Sequence, residues 1–499
     1  MTANRCAILS CVLALTFHFA IGQSTVPAAN SYSKKQLDLV VQREGEAFIK
    51  EPTRVGLSIG IIKDKQTYFY NFGTTEKGTS KAPTQNTIYE IGSVSKTFAS
   101  LLLAHAVTEK RVSLDDDVRK YLKEAYPNLA YAGKPIRLVH LANTTSALPD
   151  NIPDRTTILQ QANPDSIPAL ILKASSTYTK QDFYADLHAV KLDTVPGLIP
   201  RHSNAGAQLL AYILESVYQT PYEKLVENYI EKPLQMRSTT SVKAGNLLAV
   251  GHNEKGSRMP YHFLDNLEPS GGLRYSTADM VKYLAYQLAE TDKAVALSHQ
   301  PTWGSLDEEA LGLNWSIRKT TDNKRQLLHT GGTFGFASYC SFYPELGFGI
   351  VVLSNESDRG TQGRLYEVAD QIVAGIYGVP PGLQAFQSSL ATNDYTHALD
   401  AYKAVKKKHP ELHLSEEYVN EWGYRLARDG KSKQAIELFK LNVSLHPNSW
   451  NTYDSLAEAY EMNGNSTLAV TNYKQSLALN PKNVGAVEHL KKLGAIAGK

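Results

Sequence analysis

Cysteine is almost missing from this chain, with three in 499 residues. That is too few for a disulfide framework or a four-thiolate zinc site. Cys6 and Cys11 fall in the first stretch, so the body of the chain holds Cys340 alone and can form no internal disulfide. An excess of charge is also missing: 52 Lys and Arg stand against 49 Asp and Glu, for a formal net charge of +3. A nucleic-acid surface needs a basic stripe on one face. The only dense run, Lys406-Lys407-Lys408, reads as a solvated helix face. Neither metal, cofactor nor nucleic acid is expected. Wholesale disorder is excluded as well, because 42% of residues are apolar and 20% charged, and the length allows two to four domains.

A long uninterrupted apolar run is the last thing lacking. Arg5 precedes an apolar stretch from Cys6 to Ile21, but Ser10, Thr16 and His18 interrupt it. Spanning a bilayer takes about 20 apolar residues. With the small residues of Ala20-Ile21-Gly22 before Gln23, the pattern is that of a secretory signal, residues 1–22, cleaved near Gly22-Gln23. The expected product is exported, periplasmic or secreted, without a stable membrane anchor.

What is present starts with an amphipathic helix over Lys34 to Lys50. A β-hairpin follows, with Val55 to Ile62 turning at Lys63-Asp64-Lys65 and returning through Tyr68-Phe69-Tyr70. Four more strands are expected at Gly312 to Arg318, Gln326 to His329, Phe336 to Tyr343 and Phe348 to Ser354. Between these blocks the chain reads as mostly helical. The economical fold is α+β: one antiparallel sheet made from both ends of the domain, flanked by helices, with a helical insert. After Pro380-Pro381-Gly382 the texture changes. Gly430, Ala435, Phe439 and Pro447 recur 34 residues later as Gly464, Ala469, Tyr473 and Pro481. That period resembles tetratricopeptide repeats. The expected order is therefore a sheet-and-helix domain over 23–380, a linker over 381–394 and an all-α repeat region over 395–499. Too few repeats are present to be stable alone, so docking on the first domain is expected.

Three short motifs carry chemistry. Ser93-Val94-Ser95-Lys96 opens a helix that is apolar nearly all round, from Phe98 to Val107. A spacing of three residues puts Ser93 and Lys96 on one face. A lysine whose pKa is lowered by burial could take the serine proton; the plain alternative is that Ser93 caps the helix and Lys96 reaches solvent. His202-Ser203-Asn204 precedes a second apolar helix, Ala205 to Val217, which Asn204 could cap. His329-Thr330-Gly331-Gly332 ends a predicted strand, where glycines let backbone approach a ligand and an N–H could face an oxyanion beside that of Ser93.

In this order the motifs resemble those of the serine β-lactamase and penicillin-binding peptidase superfamily: S-x-x-K, then Y-x-N or S-x-N, then K-T-G or H-T-G. Neighbouring text agrees. His140 to Leu148 is similar to "HLLTHTSGL", Pro233 to Met236 to "PLGM" and Pro269 to Thr277 to "PAGGLYST". The likeness runs from Lys34 to Gly378 and points to the branch of class C β-lactamases, D-alanyl-D-alanine carboxypeptidases and esterases. It implies Ser93 as acyl-accepting nucleophile, Lys96 as its proton partner and Asn204 as the group orienting Lys96 and the substrate. It further implies backbone N–H groups of Ser93 and Gly332 as oxyanion hole, with His329, Thr330 and Gly331 lining the substrate site. The implied partner is a β-lactam, a D-alanyl peptide of the cell wall, a D-amino-acid peptide or a small ester, the last two making the chain a D-amino-acid peptidase or a carboxylesterase on the same scaffold. One position departs from the pattern: His202 stands where tyrosine is usual, and its imidazole can serve as acid or base near neutral pH. The segment from Asp150 to Pro200 is expected at the pocket rim. The competing reading is a catalytically weak binding protein that acts on a protein partner through its repeats.

Overall fold

The computed structural model describes residues 33–237, 247–262 and 268–496, and the expected signal segment lies outside them. Helix α1 (Lys34–Ile49) leads into strands β1 (Gly56–Lys63) and β2 (Gln66–Gly73). Asp64 and Lys65 both take positive φ, 50° and 67°, which is the backbone of a tight two-residue hairpin turn. Six further strands come from far downstream: β3 (Trp303–Gly304), β4 (Ala310–Leu311), β5 (Ser316–Lys319), β6 (Arg325–Gly332), β7 (Ala337–Tyr343) and β8 (Phe348–Ser354). Among the described residues these form one antiparallel sheet in the order β2-β1-β8-β7-β6-β5-β4-β3. Leu57 faces Ser354 and Ile61 faces Ile350, so the two ends of the domain meet in mid-sheet, as the sequence pattern predicts. The strand expected from Gly312 begins only at Ser316. A turn intervenes, closed by the Gly312 N–H donating to Trp315 O, with Asn314 at φ 59°.

Alternation along the strands divides the apolar side chains between two cores. Leu57, Ile59, Ile61, Ile350 and Val352 pack against α1 and a later helix over Thr361–Tyr377. On the opposite face Cys340, Phe342, Val351 and Leu353 join the larger core, which includes α2 (Ser95–Thr108), α3 (Asn204–Tyr218) and α4 (Thr277–Ala289). Helix α2 is buried nearly all round, the fate its composition predicts. Phe98 is stacked between Tyr275 and Tyr283, at centroid distances of 5.2 and 4.2 Å. These ring contacts fix the depth of the helix whose N-terminus carries Ser93 and Lys96.

The stretch 381–394, expected as a linker, is helical for most of its length, Pro381–Thr392. Proline suits the first turn of a helix, and Leu383, Phe386 and Leu390 fall on one side and are buried in the C-terminal core. That segment is a packed element rather than a tether. Beyond it, helices Glu416–Arg428 with Ser432–Leu445, and Trp450–Met462 with Ser466–Leu479, make antiparallel pairs. Ala435 and Phe439 are fully buried, as are Ala469 and Tyr473 one period later. Gly430 and Gly464 sit at φ 75° and 78° in the turns between paired helices, a conformation that favours glycine. The pairs touch the sheet domain at its β3–β5 end. Arg318 meets Glu417 at 3.0 Å, His446 Nδ1 lies 2.8 Å from Glu308, and the His413 N–H donates to Thr321 O.

Replacing Phe98 by alanine removes a fully buried ring from between two others. We expect Phe98→Ala to cost about 3–5 kcal/mol in urea unfolding, with a lowered midpoint and an unchanged slope.

Candidate active site

The Ser93 segment is set by a close approach of two backbones. Gly92 to Val94 form one 3₁₀ turn before α2. Gly92 has φ 52°, and a Cβ there would lie 2.4 Å from the Gly332 nitrogen on β6. A Cβ on Gly331 would lie 2.1 Å from Ile91 O and 2.9 Å from the Ser93 nitrogen. Only glycine at both places lets the turn lie against the strand. Helix α2 has no side-chain cap, so Ser93 does not cap it and its hydroxyl stays at the cavity. Nor does Lys96 reach solvent: it is 1% exposed.

The Lys96 Nζ has three neighbours: Ser93 Oγ at 2.8 Å, Asn204 Oδ1 at 2.9 Å and the Ser270 carbonyl at 2.5 Å. The last two oxygens can only accept. A neutral amine satisfies both with its two N–H groups, which leaves its lone pair for the Ser93 hydroxyl. Burial pulls Lys96 down to about 7, against the opposing pull of the Asp150 carboxylate.

The second motif arrives on α3, and the helix cap differs from expectation. Ser203, not Asn204, is the N-cap: its Oγ accepts from the Gly206 N–H at 2.9 Å and donates to Pro149 O at 2.8 Å. The Asn204 side chain is thereby left to bridge Lys96 and Asn151, donating to Asn151 Oδ1 at 3.1 Å. His202 presents Nε2 to Ser93 Oγ at 3.4 Å, and its Nδ1 lies 2.6 Å from Asp150 Oδ1.

His329, Thr330, Gly331 and Gly332 are all within β6 and line a cavity of about 360 Å³ shared with Ser93, His202 and Asn204. The Thr333 N–H donates to Phe336 O, and antiparallel bonding alternates, so the Gly332 N–H points away from β7 and toward the Ser93 turn. Burial, with Lys96 nearby, holds His329 at about 4, so its ring is neutral at pH 7. The structure thus brings together every residue that the three motifs supplied. It adds others that sequence reasoning missed: Asp150, Arg155, His262, Ser270 and Gln362. Asp150 and Arg155 fall in the segment expected at the rim, and its place there was their only signal. Arg155 has no carboxylate within 4 Å among the described residues; its Nη2 donates to Ser175 Oγ at 3.3 Å. Burial, and then the Arg155 charge, pull His262 down to about 4.

A hydroxyl served by an enclosed amine, facing paired backbone amides below an antiparallel sheet, defines a serine hydrolase of the β-lactamase and penicillin-binding-protein kind. The family model described as Beta-lactamase matches residues 41–374, and the chain belongs to that family. It is 25% identical over 365 residues to the D-alanyl-D-alanine-carboxypeptidase/endopeptidase AmpH of Escherichia coli (strain K12), covering 68% of this chain and 90% of the relative. Among solved structures, the β-lactamase/D-alanine carboxypeptidase of Yersinia pestis complexed with citrate shares the fold at a TM-score of 0.58 and 24% identity. The match covers 69% of this chain and 99% of that one. A class C β-lactamase shares it at 0.59 and 22%, covering 70% and 99%.

A lysine near 7 in the folded state and near 10.5 when unfolded binds fewer protons folded over that interval, so stability rises with pH between the two values. Lys96→Met lacks this titration. The unfolding free energy of the parent minus that of the variant should climb from pH 7 to 10, by at most about 1.4 kcal/mol per unit. A flat difference in chemical denaturation would show that the amine is not held neutral.

Proposed function

We propose that the protein is an exported serine hydrolase that cleaves an amide or ester of the D-alanyl-peptide or β-lactam type through an acyl-enzyme on Ser93. The observation that carries this reading is the enclosed Lys96 amine at 2.8 Å from the Ser93 hydroxyl. Ser93 Oγ attacks the substrate carbonyl carbon while its proton passes to the Lys96 lone pair. The carbonyl π pair moves onto oxygen, where the N–H groups of Ser93 and Gly332 receive it. As the carbonyl re-forms and the bond to the leaving group breaks, that group takes a proton from His202 Nε2. In deacylation water gives a proton to His202, its oxygen attacks the ester, and the Lys96 ammonium returns a proton to Ser93 Oγ. Asn204 holds the amine in place, and Thr330, Gly331 and His329 line the far wall for the substrate backbone.

Arg155 supports one substrate class over another. Its guanidinium has no carboxylate within 4 Å among the described residues, and Arg155 lines a cavity whose imidazoles His262 and His329 are both held near 4. A substrate carrying a carboxylate fits this cavity better than a neutral ester. The similarity to a named D-alanyl-D-alanine carboxypeptidase/endopeptidase makes a D-alanyl peptide the first to try. The wider proposal keeps residues 1–22 as an export signal, 23–380 as the hydrolase domain and the C-terminal helices as a surface for a protein partner.

Intact-mass spectrometry after exposure to a fluorophosphonate, a penicillin and a D-alanyl-D-alanine peptide should show a covalent adduct that Ser93→Ala abolishes. Failure to acylate with any of them leaves the binding-protein reading standing instead. Arg155→Gln should raise KM about tenfold for the carboxylate-bearing substrate while leaving p-nitrophenyl butyrate hydrolysis within about twofold; equal effects on both would remove Arg155 from recognition.

A further inference from the structure

Asp150 and His202 form a pair whose placement is better explained by the serine beside it than by the fold. Their side chains are about half exposed, 53% and 55%, and exposed pairs stabilise a fold by only about 0–1 kcal/mol. The backbone around them is clamped without their help. The Asp150 carbonyl accepts the N–H groups of Asn204 and Ala205, at 2.8 and 3.1 Å, and Pro149 O accepts the Ser203 hydroxyl at 2.8 Å. What the side-chain contact does fix is the imidazole. With Nδ1 held 2.6 Å from Asp150 Oδ1, the Nδ1 proton is committed to the carboxylate, and Nε2 is the atom turned to Ser93 Oγ at 3.4 Å.

We propose that Asp150 is the positioning residue of His202, so that one serine is served by two proton-transfer groups: Lys96 on one side and a histidine–aspartate pair on the other. The arrangement of serine, histidine and aspartate converges on the triad geometry known from unrelated folds, here superimposed on a serine–lysine pair. This inference rests on the acyl-enzyme reading above. Lys96 is the closer group and takes the serine proton. The histidine–aspartate pair therefore acts at the other two transfers, giving the Nε2 proton to the departing nitrogen or oxygen and regaining one from water. The charged and titratable groups facing the imidazole are Asp150, Lys96 and His329, with Arg155 within electrostatic reach of Asp150.

The division of labour predicts a dependence on the leaving group. A p-nitrophenolate departs without a proton, whereas p-nitroaniline must be protonated as it leaves. Single-turnover acylation would be followed with N-acetyl-D-alanine p-nitroanilide and with the p-nitrophenyl ester of the same acid. Asp150→Asn, which keeps the backbone bonds and side-chain size, should slow acylation by the anilide about 100-fold, leave the ester within about threefold, and leave KM unchanged. In a His202→Ala background the same substitution should cost nothing more. Unchanged anilide acylation in Asp150→Asn overturns the proposal. So does equal slowing of anilide and ester, or a loss that persists without His202, since either would mark a structural role. Absence of any Ser93-dependent adduct in the parent enzyme would instead overturn the acyl-enzyme reading itself.

Discussion

An amine with no access to water governs the rest of this structure. A charged ammonium at the Lys96 position is costly, and burial pulls its pKa down to about 7 while the fold presents two carbonyl-type acceptors to its N–H groups. Those acceptors come from places far apart in sequence, Asn204 at the head of one helix and Ser270 just before another. Helix α2 can hold the lysine there only because its other faces are apolar and its depth is set by the Phe98, Tyr275 and Tyr283 rings. The lone pair that Lys96 can offer the Ser93 hydroxyl is in this sense a by-product of how completely the helix is buried.

The same burial explains why glycine occurs where it does around the site. Two backbones, the 3₁₀ turn with Ser93 and the strand with Gly332, come within a distance that no side chain would survive. Their N–H groups end up neighbours because Gly92 and Gly331 place no Cβ between the two backbones. The sheet makes this possible by pairing β1 with β8, which brings the chain's early hairpin and its late strands into one layer beneath the Ser93 turn. Helices that complete the tail then brace the far edge of that layer through Arg318, Glu308 and Thr321.

Much of this was legible in advance, and for local reasons. Spacing alone put Ser93 and Lys96 on one face. Apolar residues all round α2 announced its burial, and alternation marked the hairpin and the late strands. The 34-residue recurrence marked positions that turn out buried, Ala435 and Phe439 in one helix and Ala469 and Tyr473 in another. Other features were hidden because they depend on partners distant in sequence. Nothing local distinguishes Ser203 from Asn204 as a helix cap; the choice follows from Pro149 O, which holds the serine and frees the amide to reach Lys96. Residues 381–394 look like a linker for their Pro-Pro-Gly start, yet Leu383, Phe386 and Leu390 find a core to enter.

The amino-acid sequence by itself determined the superfamily, the order of its motifs and the identity of the hydroxyl and amine, because these rest on short spacings and residue types. Only the tertiary structure decided that Asp150 reaches the His202 ring, that Arg155 lines the cavity and that Ser270 offers a carbonyl to Lys96. Each of those depends on where loops come to rest against helices, and loop paths are settled by contacts across the whole domain rather than by any periodicity along the chain.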